Sequence, residues 1–294
     1  MSGLRVLVTG AAGQVGGAIK RRPEGLDLLP VDLAEMDLGN PEAIIAGLDA
    51  RRPDLVVSCA AYTAVDQAEQ EPDLAFAINA TAPAVMARWC ADHGRPLIHM
   101  STDYVFPGNG TRPYREDDPV GPASVYGASK AAGERAVREA CPRHIILRTA
   151  WVYAADGKNF VRTMLRLGAE RPSVGVVADQ RGCPTAAHSL AGALIHMAKT
   201  VGAGREDLWG TYHYVDAGET TWHGFAEAIF DIAATKWGRR PEVTALTTEQ
   251  YPTPARRPAY SVLDTSKVRA AFGLTPAPWQ DNLRQVMDLL LKEA

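Results

Sequence analysis

The strand-like run Leu4-Arg-Val-Leu-Val8 leads straight into Thr9-Gly10-Ala-Ala-Gly13-Gln14-Val15-Gly16, and the segment from Gly17 to Arg22 can begin a helix. Strand, glycine turn and helix in that order open a βαβ unit. Glycines permit the tight turn and a close backbone approach, while the helix start aims amide hydrogens and a positive dipole at a pyrophosphate. Further apolar runs follow at residues 26–31, 55–58, 96–100 and 145–149, with intervals long enough for crossover helices. The alternation predicts an α/β fold: a Rossmann-type doubly wound parallel sheet covered on both faces, with binding loops outside the strands' carboxyl ends.

Past residue 150 the order is less regular, with helical patterns at 160–167, 189–199, 222–234 and 279–291. A smaller C-terminal substrate-binding α/β domain is expected to fold over the first. The division places 1–150 in the dinucleotide-binding domain, with a return segment near 178–200, and 151–177 and 201–294 in the substrate domain. Prolines at 252, 254 and 258 break periodicity and read either as a loop facing the cleft or as a plain connector.

In 294 residues, 46% hydrophobic side chains supply a sizeable core. The 31 basic and 34 acidic residues leave a net charge of -3 without long blocks of either sign, so neither nucleic acid nor an anionic membrane is implied as a partner. Cys59, Cys90, Cys141 and Cys183 lack paired metal spacing, and no apolar stretch approaches the roughly 20 residues that cross a bilayer. The expectation is a reduced, cytoplasmic chain with no metal site.

Asp32 closes the second strand, where a carboxylate can accept hydrogen bonds from adenosine ribose hydroxyls and so favour NADH over NADPH. Lys20, Arg21 and Arg22 lie close in sequence; one of them either compensates a 2'-phosphate or sits on a solvated helix face. Asp37 and Leu38 border the adenine in this reading. Ala60, Ala61 and Thr63 follow the third strand, where backbone covers the pyrophosphate and nicotinamide ribose. Tyr126-Gly-Ala-Ser-Lys130 then stacks a phenol and an ammonium on one helix face, where the positive charge lowers the tyrosine pKa toward a usable proton donor. Ser101-Thr102-Asp103 ends the fourth strand. Adjacent strand residues point to opposite sides, so only one of the two hydroxyls faces the substrate.

These motifs, TGAAGQVG at 9–16, STDYVF at 101–106 and YGASK at 126–130, resemble the extended short-chain dehydrogenase/reductase family. DYVFPGNG from Asp103, RTAWVY from Arg148, NFVRTMLRL from Asn159, DQRGCPT from Asp179, TTWHGFA from Thr220 and YPTPARRP from Tyr251 resemble its 4-keto-sugar reductase branch. The resemblance implies reduction of dTDP-4-dehydro-L-rhamnose to dTDP-L-rhamnose by NADPH or NADH. It implies Tyr126 as proton donor, Lys130 as its partner and ribose ligand, and Thr102 as the oxyanion hydroxyl. It places the dTDP-sugar against Thr102, Asp103, Tyr104, Tyr126, Trp151, Asn159, Arg256 and Arg257. Trp151 is alternatively a structural tryptophan, and one of the two arginines alternatively makes an ion pair.

Two positions depart from the resembled pattern. Some members bind Mg2+ at a dimer interface through glutamates where this chain has Ala18 and His188, and Mg2+ prefers oxygen ligands. Monomer and homodimer therefore both stay open. Two rival functions remain at this point: a nucleotide-sugar epimerase or dehydratase on the same fold, and a non-catalytic cofactor-binding regulatory subunit. Thr102-Asp103-Tyr104 lacks the glutamate that follows Thr-Asp in the dehydratases.

Overall fold

The computed structural model of the chain describes residues 3–292. Five parallel strands fall on the five apolar runs: β1 (Arg5–Thr9), β2 (Asp27–Val31), β3 (Leu55–Ser58), β4 (Leu97–Thr102) and β5 (His144–Thr149). A sixth strand, Gly210–His213, pairs in parallel with β5. The order across the sheet is Gly210–His213, β5, β4, β3, β1, β2. The chain steps one way from β1 to β2 and the other way to β3, so winding reverses between β1 and β3. In open α/β sheets that reversal creates the ligand-binding crevice.

Burial follows from this position in the sheet. All four residues of β3 are buried, as a strand covered by helices on both faces requires. Pro30 is tolerated in β2 because that strand is the sheet margin, where a missing N–H breaks no interior ladder. One face packs Val6, Val8 and Ile98 against Ile19 of the helix Gln14–Arg21 and Leu190 and Leu194 of the helix Ala187–Gly202. The other packs Leu7, Val56 and Ile146 against Ile44, Met86 and Val137 of the helices Pro41–Arg51, Ala82–Asp92 and Val125–Ala140. Burying each such Val, Leu or Ile contributes about 1.5–3 kcal/mol.

A separate core gathers Val161, Met164, Phe225, Phe230, Trp279 and Leu283. The helices Phe160–Glu170, Trp222–Trp237 and Trp279–Leu290 build it beside the parallel pair Ser173–Val177 and Glu242–Leu246. The second half also gives more to the sheet layer than a return near 178–200: Gly210–His213 extends the sheet, and Val268 and Phe272 of the helix Ser266–Phe272 join its core. A four-residue strand carrying Thr211 and His213 presents no apolar run to read, and its place is set by pairing with β5. Among the described residues no helix is long and apolar enough to cross a membrane.

Candidate active site

The carboxyl ends of β1, β3, β4 and β5 open on a cleft of about 590 Å³. Its floor is made of backbone. Gly10 adopts φ +68°, and a Cβ there would stand 2.9 Å from the Cα of Ala60. A Cβ on Gly16 would run into the Gly10 carbonyl oxygen. The absence of side chains lets the ends of β1 and β3 meet, with Thr9 Oγ1 accepting from the Ala60 amide at 3.1 Å. Gly13 starts the helix Gln14–Arg21, with no side chain capping it and no acidic residue in its first turn. The helix therefore offers amides and a positive end to the cleft.

Gly10, Gly13, Gln14, Val15, Gly16, Asp32, Asp37, Leu38, Ala60, Ala61, Thr63, Tyr126 and Lys130 all line this one cleft. A side-chain-free cradle at a helix start, bounded by a carboxylate beyond β2, fits a dinucleotide with its pyrophosphate over the glycines. Asp32 Oδ1 accepts from the Ala12 amide at 2.9 Å, and the Asp32 amide donates to Glu35 Oε2 at 2.9 Å. Arg21 is paired with Asp156 at 2.8 Å.

The helix Val125–Ala140 carries Tyr126 and Lys130. Ser124 caps it, its Oγ accepting from the Gly127 amide at 3.1 Å. Tyr126, Lys130 and Glu134 recur at four-residue spacing on one face, and all three are buried. Lys130 Nζ donates to the Met100 carbonyl at 2.6 Å. Burial draws the Lys130 pKa down to about 8, opposed by the Glu134 carboxylate. Burial pushes Glu134 up, but Arg148 outweighs it and holds the carboxyl below its usual range. Arg148 donates from Nε at 2.8 Å and from Nη2 at 2.7 Å, tying this helix to β5 through a wholly buried ion pair.

The phenol differs from the sequence expectation. Burial raises the Tyr126 pKa above its ordinary value, the Thr102 hydroxyl lowers it, and Asp103 and Tyr104 raise it further. Lys130 is not among these influences because its ammonium is turned to Met100. Tyr104 meets Tyr126 edge-on, with ring centroids 5.5 Å apart. Thr102 Oγ1 donates to Asp103 Oδ1 at 2.9 Å, and burial pushes the Asp103 carboxyl up to about 6. Ser101 lines the cleft, while Thr102, on the other side of the strand end, holds its hydroxyl between Asp103 and the Tyr126 phenol.

Most of the side chains assigned to the substrate are engaged with other side chains. Arg257 pairs with Asp66 at 2.6 Å and donates from Nη1 to the Tyr104 hydroxyl at 3.1 Å, while the Ala255 amide donates to the same carboxylate at 3.2 Å. Arg256 is exposed on that loop. Trp151 stands at φ +47°, in the left-handed region, and its indole stacks on Trp222 at 3.5 Å with planes 7° apart. Gly182 leaves room for that ring. Asn159 is placed beside the glycine loop: Nδ2 donates to Gln14 Oε1 at 3.1 Å, and Oδ1 accepts from the Arg162 amide at 3.2 Å, capping the helix Phe160–Glu170. Ala18 is buried in the sheet core, and His188 Nε2 lies 3.2 Å from Asn282 Oδ1.

Asp66, Trp222 and Lys158 are among the residues that the sequence reading missed. Asp66 and Trp222 emerge only through their partners Arg257 and Trp151. Lys158, which lines the cleft, has as its only signal a place between Gly157 and the capping Asn159.

Over residues 4–292 the chain matches the family described as the RmlD substrate binding domain. It is 42% identical over 293 residues to a dTDP-4-dehydrorhamnose reductase of Sinorhizobium fredii, covering 99% of each chain. The solved dTDP-4-dehydrorhamnose reductase of Clostridium acetobutylicum superposes with a TM-score of 0.90 at 37% identity, over 97% of this chain and 99% of that one. The enzyme of the same name from Bacillus anthracis, solved in complex with NADP, gives 0.89 at 37% identity, over 98% and 99%.

Proposed function

The chain belongs to the dTDP-4-dehydrorhamnose reductase family, and from that premise we propose that it reduces the 4-keto group of dTDP-4-dehydro-L-rhamnose with NAD(P)H, Tyr126 giving the proton. The observation that carries the reading is the convergence of the glycine cradle, Tyr126 and Lys130 on one cleft. Bound NAD(P)H supplies the hydride for the carbonyl carbon. Tyr126 adds its phenolic proton to the carbonyl oxygen, which completes the alcohol and leaves a phenolate for solvent to reprotonate. Lys130, cationic below about pH 8, lies one helical turn from Tyr126 and holds the nicotinamide ribose; with its ammonium on the Met100 carbonyl it does not act on the phenol before the cofactor binds. Thr102 holds the hydroxyl beside the reacting oxygen, with Asp103 behind it.

The dTDP-sugar lies on the far side of Tyr126, bordered by Tyr104, Trp151 and the loop of Arg256 and Arg257. Residues 1–150 with the sheet-layer returns hold the cofactor, and the core around Phe225 and Trp279 carries the substrate side. The test is the loss of nicotinamide absorbance when purified protein receives NADH or NADPH and dTDP-4-dehydro-L-rhamnose, with the product identified by NMR. Substrate-dependent oxidation yielding dTDP-L-rhamnose is expected. No oxidation by folded protein with verified substrate would refute the assignment.

A further inference from the structure

Two cations line the cleft among the described residues, Lys130 and Lys158. Lys130 is buried against the Met100 carbonyl; Lys158 is exposed at the mouth, beside the start of the helix Gln14–Arg21. The segment that presents it is held along that helix at both ends. At the near end Gly157 rides on Gln14: it adopts φ +73°, and a Cβ there would stand 3.3 Å from Gln14 Cγ. Asn159 Nδ2 gathers the turn by donating to the Ala154 carbonyl at 2.9 Å, the Asp156 carbonyl at 3.2 Å and Gln14 Oε1 at 3.1 Å. At the far end Asp156 pairs with Arg21 at 2.8 Å.

A pyrophosphate over the glycine cradle carries two negative charges, and a helix terminus offset them with roughly half a unit charge. An ammonium on a short, organised loop supplies the rest as a point charge suited to phosphate. We propose that residues 154–158 form a clasp over the dinucleotide, with Lys158 binding the pyrophosphate of NAD(P)H. The clasp rests on the dinucleotide reading above. Because the same segment runs directly into the helix Phe160–Glu170 of the second core, it joins the substrate side of the molecule to the bound cofactor.

The test is an NADH titration followed by energy transfer from protein tryptophan, at low and high salt, with wild type, Lys158→Ala, Lys158→Arg and Arg21→Ala. Lys158→Ala is expected to raise the NADH Kd about tenfold at low salt, with a smaller gap at high salt. Lys158→Arg is expected to restore most of the affinity, and Arg21→Ala, which frees the segment without removing its charge, to give a smaller rise. Unchanged affinity in Lys158→Ala would overturn the clasp while leaving the reductase assignment standing. Failure of Lys158→Arg to restore binding would also overturn it, since a role confined to loop shape does not depend on charge. No NADH binding by the wild type would instead refute the dinucleotide reading itself.

Discussion

The two walls of the cleft are built differently. The wall proposed for the cofactor is backbone: Gly10, Gly13 and Gly16 at a helix start, facing Ala60 and Ala61, with the helix of Tyr126 and Lys130 fixed from behind by the buried Glu134–Arg148 pair. The wall proposed for the substrate is side chain against side chain: Arg257 on Asp66 and Tyr104, and Trp151 on Trp222. A backbone wall needs no rearrangement to receive its ligand. On the substrate wall an incoming sugar nucleotide must compete with contacts the side chains already make with each other.

Breaking each wall at its central ion pair gives the largest contrast. Arg148→Met removes the buried partner of the Glu134 carboxylate and leaves it only the partly exposed Arg138 at 2.6 Å; it is expected to cost about 3 kcal/mol of stability, read by denaturant unfolding. The Arg257–Asp66 pair is partly exposed, at 24% and 39% for the two side chains. A double-mutant cycle on it is therefore expected to give a coupling of only about 0.2–1 kcal/mol. Its kinetic signature is a raised KM for the sugar nucleotide with the NADH Kd little changed.

Between these extremes lies the glycine cradle itself. Gly16→Ala forces a Cβ against the Gly10 carbonyl and is expected to cost about 1–3 kcal/mol of NADH affinity, measured by the same titration. An unchanged Kd would mean that the cradle is not where the cofactor lies. A finer distinction concerns pH. With the Lys130 pKa held near about 8 by burial, the ammonium is present below that pH and lost above it, so NADH affinity should fall as pH rises through about 8. Lys130→Met should abolish that inflection. Asp103 acts on stability rather than on affinity: burial raises its pKa from 3.8 to about 6. Its stabilising share is complete below 3.8 and is lost as pH rises through 6, so Asp103→Asn should flatten thermal stability between pH 4 and pH 6.

The same contrast explains what the sequence disclosed. Glycine spacing, the strand runs and Tyr126-x-x-x-Lys130 are local patterns, and each was legible because backbone geometry and helical period determine where such residues point. Arg257 was read as a phosphate ligand or an ion-pair partner, and its partner Asp66 lies 191 positions away. Asn159 meets Gln14 across 145 positions, so its role as a cap facing the glycine loop had no local signature beyond its place before a helix. The sixth strand and the covering of Trp151 by Trp222 likewise depend on tertiary pairing. The phenol pKa was misjudged because spacing shows that a lysine is near, while burial and the direction of its ammonium decide whether it acts on the tyrosine.

The most direct measurement is a single-turnover comparison of wild type and Tyr126→Phe, both saturated with NADH by prior titration and mixed with dTDP-4-dehydro-L-rhamnose. Loss of the Tyr126 hydroxyl from an intact backbone wall predicts an NADH Kd within about twofold of wild type and hydride transfer slowed by about 10²- to 10⁴-fold. NADH oxidation by Tyr126→Phe at the wild-type rate would contradict the assignment of Tyr126 as proton donor.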